Sequence, residues 1–307
     1  MDTRRPITEA QVNSWLNMPA TIQTVRAALI DQAADRAVNV PRQRLRLGSS
    51  MMHILAASWE ARGVFGHKSY ASSPKGVEFY VILYYADGRP GVVIEANRLG
   101  QLRTGAATGV ASKALARPDS KVLGVIGSGY QMRTQVEAVV HELPIDRVQV
   151  WSPTEANREA FARELGQQLA VEMVAVDSVE AATDGADVIN VLTTSPEPLL
   201  YGRHLQPGVH VNAAGSNRVQ QQEIAADVFA EASLVVTDDL EQAHSESGDL
   251  VAAVSAGTVD WSDVKRLADV VAYPPQREAD AVTVFKSHGI GLWDVAAALK
   301  LLEELDG

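Results

Sequence analysis

No cysteine occurs anywhere in the 307 residues. Disulfides, thiol nucleophiles and cysteine-ligated zinc are thereby excluded. Positive charge is also scarce: 27 lysines and arginines face 38 aspartates and glutamates, a formal net charge of −11. Nucleic acid, whose phosphates demand a basic surface, is therefore not expected as a partner. The deficit does not count against a small anionic substrate, because a few inward-pointing cations create a local positive field inside an acidic protein. Long apolar runs are missing as well, none reaching the roughly 20 residues of a membrane span. The polar opening at residues 1–6 carries no signal-peptide pattern, so no membrane association and a cytoplasmic location are expected. There is no internal repeat and no low-complexity tract.

What remains is the composition of an ordinary globular protein, 46% apolar and 21% charged. The length suggests two domains of about 100–200 residues each. In residues 8–35 the apolar positions Val12, Leu16, Ile22, Val25 and Leu29 are spaced as in amphipathic helices, interrupted at Pro19. From residue 53 the pattern changes to extended runs at 53–57, 63–68, 78–85 and 92–95. Asp87-Gly88 between the last two is a hairpin signal. Residues 101–117 form a helix of small residues, stopped before Pro118 and suited to bridging two domains. Apolar runs at 122–126, 148–151, 186–192, 210–214, 234–237 and 269–272 then alternate with helix-like stretches. Unalternated strands of this kind suit a parallel sheet covered on both faces. Residues 291–305 form an amphipathic helix that returns to the first domain. The fold class is thus α/β: a Rossmann-type dinucleotide-binding domain at 118–285, and an α+β substrate-binding and dimerisation domain made of 1–117 with 286–307.

Residues 122–132 run from a strand into the turn Gly127-Ser128-Gly129-Tyr130-Gln131-Met132. Gly127 serves the tight turn, and Gly129 lets the backbone approach a pyrophosphate. The following helix start offers unpaired N–H groups to the anion. Met132 stands where the usual fingerprint has a third glycine. A Gly-x-Gly can be a plain structural turn, but here it opens a series of strand–helix units, which points to dinucleotide binding. The next strand ends at Trp151-Ser152, where NAD enzymes place an acid on the ribose 2′-hydroxyl. Ser152, Thr154 and Arg158 occupy that region instead, which favours NADP(H) and leaves NAD(H) possible. Ser152 could equally be a helix cap.

These segments resemble the ornithine cyclodeaminase/μ-crystallin family across nearly the whole chain. The resemblance rests on Lys68, on Leu102-Arg103-Thr104-Gly105-Ala106-Ala107, on Ala116-Arg117-Pro118 and on the loop at 127–131. It extends through 185–189, 207–215 and 283–289. It implies a homodimer with one Rossmann domain per subunit. It also implies a substrate carboxylate held by Arg44, Lys68 and Arg103, with Arg42 as the alternative register for the first. Thr104 would bond a cofactor phosphate. Thr193, Asn212 and Gly215 would line the dinucleotide site, with Val284 and Lys286 near the nicotinamide.

Asn217 aligns where cyclodeaminases carry an aspartate. An amide can hydrogen-bond but cannot take a proton at neutral pH, which counts against cyclodeamination. The resemblance therefore implies NAD(P)H-dependent reduction of a small α-imino or α-keto acid, or an amine substrate in reverse. Lys68, Arg103 and Asn217 would be the residues at the reacting centre. Ornithine-type cyclodeamination and a non-catalytic, crystallin-like NADPH binder are the alternatives. His67 and His288 are weaker proton-transfer candidates. Glu241, His244 and Glu246 could be drawn as a metal site, but no metal is expected.

Overall fold

The structure, a computed structural model, describes residues 6–74 and 76–306. The polar opening at residues 1–5 lies outside them. Two compact units emerge: residues up to Ala107 together with Gly289 onward, and Thr108–His288. Both boundaries differ from 117 and 286. The first falls within a helix, whose later turns belong to the second unit. A Cβ on Gly109 would lie 2.9 Å from the Cβ of Ala138.

The first unit opens with α1 (Glu9–Trp15) and α2 (Met18–Ala33). Thr8 and Gln11 close a reciprocal capping box on α1. Pro19 sits in the first turn of α2, where its missing N–H costs nothing. There follow β1 (Ala37–Asn39), β2 (Gln43–Leu47), β3 (Ser50–Trp59), β4 (Val64–Ser73), β5 (Gly76–Tyr85), β6 (Val92–Glu95) and α3 (Asn97–Leu115). The strands form one antiparallel sheet in the order β1-β3-β4-β5-β6, with β2 pairing β3. Strands β1 and β2 carry no signal strong enough to read from the sequence, being short and exposed in the main.

One face of the sheet is buried. Leu55, Lys68 and Val81 share a rung across β3, β4 and β5 on that face. The last helix of the chain, α11 (Gly291–Asp306), packs on it. A Cβ on Gly291 would lie 2.7 Å from the Leu55 carbonyl carbon, so only glycine lets the helix begin this close to β3. The opposite face leaves Val38, Val40, Phe65 and Tyr84 exposed.

The second unit contains β7 (Val122–Ile126), α4 (Tyr130–Glu142), β8 (Arg147–Trp151), α5 (Glu155–Leu169), β9 (Glu172–Ala175), α6 (Val179–Thr183), β10 (Val188–Val191) and β11 (His210–Ala213). It continues with α7 (Ala226–Ala230), β12 (Ala232–Thr237), α8 (Leu240–Glu246), α9 (Gly248–Ser255), β13 (Lys265–Arg266), α10 (Leu267–Ala272) and β14 (Val282–Lys286). The sheet runs β13-β12-β14-β11-β10-β7-β8-β9, every pair parallel. Apolar clusters cover both faces, Leu123, Val125, Val148 and Phe161 on one, Ile126, Val191, Val211 and Val284 on the other. That coverage is why these strands read as continuous apolar runs.

One expected strand is a helix. Residues 269–272 lie in α10, where Arg266 makes two hydrogen bonds to Asp269 one turn on, at 2.9 and 2.7 Å, and Leu267, Ala268 and Val270 are buried. The strand of that region is β14, which follows it.

Candidate functional site

Two constellations carry chemistry, one in each unit. In the first unit, β4 alternates Val64, Gly66 and Lys68 onto the buried face, so the lysine ammonium is folded inward with only 5% of the residue exposed. Arg103, on α3, is equally buried. Both cations converge on Asp294 of α11: Lys68 Nζ lies 3.3 Å and Arg103 Nε 2.9 Å from the same oxygen, Oδ1. Gly100 and Gly289 make the space. A Cβ on Gly100 would stand 2.4 Å from Lys68 Nζ, and one on Gly289 2.5 Å from Arg103 Nη1.

Burial holds the Lys68 ammonium down at about 8. Asp294 pulls it up, while Arg103 and Arg42 push it further down. Three cations thus act together with one carboxylate. Arg103 Nη1 and Asp294 Oδ2 are buried without a hydrogen-bond partner among the described residues. A buried guanidinium nitrogen in that condition leaves a donor unused.

Of the two candidate arginines, Arg42 is the one placed beside Tyr70 and Gly289. Arg42, just ahead of β2, donates from Nη1 to the Tyr70 hydroxyl at 3.1 Å and from Nη2 to the Gly289 carbonyl at 3.2 Å. Arg44 lies within β2, all of whose residues are exposed. Arg42, rather than Arg44, therefore stands with Lys68 and Arg103.

Beside the cations, His53, Tyr70 and Phe79 occupy one rung of β3, β4 and β5. His53 and Tyr70 stack at 4.3 Å, and Phe79 tilts against Tyr70 at 5.1 Å. Lys68 Nζ is 5.2 Å from the Phe79 ring centre, close enough for a cation–π attraction. Thr104 donates its hydroxyl to the Gly100 carbonyl at 2.7 Å. His67 is half-buried, its ring 6.4 Å from that of Tyr84.

Asp294 and the aromatic rung escape the sequence reading. The signal for Asp294 is present all the same: one carboxylate in the otherwise apolar Gly291-Leu292-Trp293-Asp294-Val295 has to be buried and paired.

In the second unit the order of strands reverses at β7, which has β8 on one side and β10 on the other. Parallel α/β sheets bind ligands at such a switch point, beyond the carboxyl ends of the strands. A cavity of about 810 Å³ lies there, formed by Gly127–Gln131, Trp151–Thr154, Thr193–Pro196 and Gly215 among others.

The cavity fits a dinucleotide. Gly127 takes φ 110°, and a Cβ there would lie 2.2 Å from the Leu192 carbonyl oxygen. Gly129 caps α4 with no side chain of its own on the first N–H groups, and a Cβ at Gly129 would meet open space. The helix start is thus left to an incoming anion. At the end of β8, Ser128 Oγ donates to Ser152 Oγ at 2.9 Å.

Several residues expected at the cofactor do not line the cavity. Met132, Asn212, Val284 and Lys286 are fully buried. Met132 fills the core between α4 and the sheet, the interface a third glycine would have left for closer packing. Asn212 bonds Ser112, Asn190 and His210, and Val284 is core. Lys286 is ion-paired with Asp249.

Arg158 is also off the cavity lining. It donates to the Ser152 carbonyl at 3.2 Å and to Asp177 at 2.6 Å. Asn217 lies half-buried two residues beyond Gly215. His288 is buried, its backbone N–H donating to Asp238 at 2.7 Å. His244 stacks on Trp261, and no metal-binding group of three side chains exists among the described residues.

The sequence pattern of the ornithine cyclodeaminase/mu-crystallin family matches residues 7–307. A Delta(1)-pyrroline-2-carboxylate reductase of Bacillus cereus is 32% identical, over 94% of this chain and 93% of that protein. The fold superposes with a TM-score of 0.91 on the Thermococcus litoralis Delta(1)-pyrroline-2-carboxylate reductase solved with NADH and L-proline. That structure is 27% identical, with 97% of this chain and 96% of that one covered. A TM-score of 0.91 also relates it to the iminosuccinate reductase of Paracoccus denitrificans solved with NAD+, at 28% identity over 98% and 95% of the two chains. Buried cations around Asp294 in one unit, a glycine-lined dinucleotide cavity in the other and a match over 7–307 lead to one conclusion: the chain belongs to the ornithine cyclodeaminase/mu-crystallin family.

Proposed function

We propose that this protein reduces a small α-imino acid, a cyclic ketimine carboxylate being the simplest form, to the amino acid with NAD(P)H. The observation that carries this reading is the buried excess of positive charge around Arg103, whose Nη1 waits for an anionic oxygen. The reductases named above support it. Arg103 and Arg42 clamp the substrate carboxylate, and clamping fixes the orientation of the neighbouring C=N carbon, a large share of the rate. Lys68, with its ammonium near 8, shares a proton with the imine nitrogen at neutral pH. A reduced nicotinamide supplies the hydride. Asn217, an amide, gives cyclodeamination no proton acceptor.

NADPH is the preferred dinucleotide in this reading. Among the described residues no carboxylate lines the cavity at the end of β8, where the hydroxyls of Ser128, Ser152 and Thr154 stand. The protein acts as a homodimer, joined through the apolar sheet face that carries Val38, Val40, Phe65 and Tyr84.

NADPH oxidation at 340 nm is expected with cyclic ketimine carboxylates, or with pyruvate or glyoxylate plus an amine. Arg103→Ala should lower kcat/KM about 100-fold or more, the loss of a charged contact worth roughly 3 kcal/mol. A panel without turnover would overturn the reductase reading.

The Lys68 cation is present below its value of about 8 and lost above it. The profile of kcat/KM should therefore fall as pH rises through that region. Lys68→Arg, charged throughout, should abolish the inflection, and an unchanged inflection would remove Lys68 from the role.

Ser152→Asp should shift the NADPH/NADH ratio of kcat/KM at least about tenfold toward NADH, because a carboxylate repels the 2′-phosphate. An unmoved ratio would show that the end of β8 does not read the ribose. Light scattering should give twice the chain mass, and Phe65→Asp should give a monomer; a monomeric parent protein would remove the dimer.

A further inference from the structure

The reaction as proposed leaves one fully buried acid unused. Glu223, in the segment between β11 and α7, has no exposed surface, and its carboxylate gathers backbone donors from two different strand ends. Oε1 accepts from the Thr193 N–H at 2.6 Å and from the Thr193 hydroxyl at 3.2 Å. Oε2 accepts from the N–H groups of Gly215 and Ser216, each at 2.7 Å. Thr193 follows β10 and Gly215 follows β11, and both line the dinucleotide cavity.

The acid is itself held. Asp249, at the start of α9, accepts from the backbone N–H groups of Glu223 at 2.6 Å and Ile224 at 3.1 Å. Lys286, at the end of β14, sits 2.8 Å from Asp249 and 3.7 Å from Glu223, and donates to the Ser216 carbonyl at 3.0 Å. Burial alone would lower the Lys286 ammonium, but Asp249 and Glu223 more than offset it. Two glycines permit the assembly. A Cβ on Gly215 would lie 2.1 Å from Glu223 Oε1, and one on Gly248 2.0 Å from the Gln221 carbonyl oxygen.

We propose that Glu223 is a positioning residue for the cofactor: its carboxylate ties the ends of β10 and β11 together and so shapes the wall of the dinucleotide cavity. The proposal rests on the dinucleotide-binding reading given above. Four donors converge on two oxygens, which only an acceptor-only carboxylate satisfies. A glutamine of the same size would turn an NH2 group against at least one backbone N–H, whichever way its amide is set. Asp249 and Lys286 belong to the same device, the first fixing the backbone of Glu223, the second bracing Ser216. Lys286 therefore serves the cofactor through this brace, not by touching it.

The test compares the full-length parent protein with Glu223→Gln. Direct fluorescence titration with NADH and NADPH should show both dinucleotides bound about tenfold or more weakly by the variant, the scale expected when a buried donor is left unsatisfied. The cofactor KM should rise by the same factor while kcat stays within about twofold of the parent. Amide hydrogen exchange without cofactor should speed up at Thr193, Gly215 and Ser216 and stay unchanged in β7 and β8.

Gly215→Ala, which keeps the acid but displaces it, should reproduce the loss and takes over the comparison if Glu223→Gln does not fold. Parental affinity in the folded variants, or faster exchange spread evenly over the sheet, would overturn the proposal. Failure of the parent protein to bind either dinucleotide would refute the reductase reading. The exchange comparison would then still decide whether Glu223 holds the two strand ends.

Discussion

One carboxylate oxygen, Asp294 Oδ1, organises the first unit. Without it, β4 and α3 would bring two cations into a region from which water is excluded, and neither would be stable there in charged form. With it, both can be buried on a sheet face otherwise made of Leu55, Val81 and their neighbours. The compensation is incomplete in its arithmetic: one negative charge faces Lys68, Arg103 and, nearby, Arg42. The proposed substrate carboxylate would complete a charge balance that the fold leaves open.

The second unit uses buried charge for a different end. Glu223, Asp249 and Lys286 are almost wholly withdrawn from solvent, and the two carboxylates are matched by backbone N–H donors as well as by the lysine. Burial pushes the Glu223 carboxyl up, against the pull of Lys286. Buried and paired charges of this kind contribute little net stability compared with apolar packing. Their value is geometric, because hydrogen bonds from fixed donors define positions more sharply than dispersion contacts do.

The Gly-x-Gly turn and the strand–helix alternation are local patterns, and local patterns are legible in a linear sequence, whereas Lys68 and Arg103 came into view only through the family resemblance. The two units, the parallel sheet and the cavity at residues 127–131 follow from them. What the sequence conceals is long-range or ambiguous in period. Residues 269–272 form too short an apolar run to separate strand from helix, and they lie in α10 with Leu267, Ala268 and Val270 buried. Arg42 and Arg44 differ by two residues, so they differ only in which one lies beyond the strand end, a matter of where β2 begins. Asn212, Val284 and Lys286 lie off the cavity lining because a family segment can be right while its individual side chains point into the core.

Gly100 and Gly289 have a consequence that their chemistry hides. Either would pass for a packing glycine, since each lies where a larger residue has no room. Yet what occupies the room is a charged nitrogen. A methyl group at either place is steric in cause and electrostatic in effect: it would press on one of the two cations that Asp294 holds. Such positions are sites where the shape of the backbone sets how closely charges in the interior can meet.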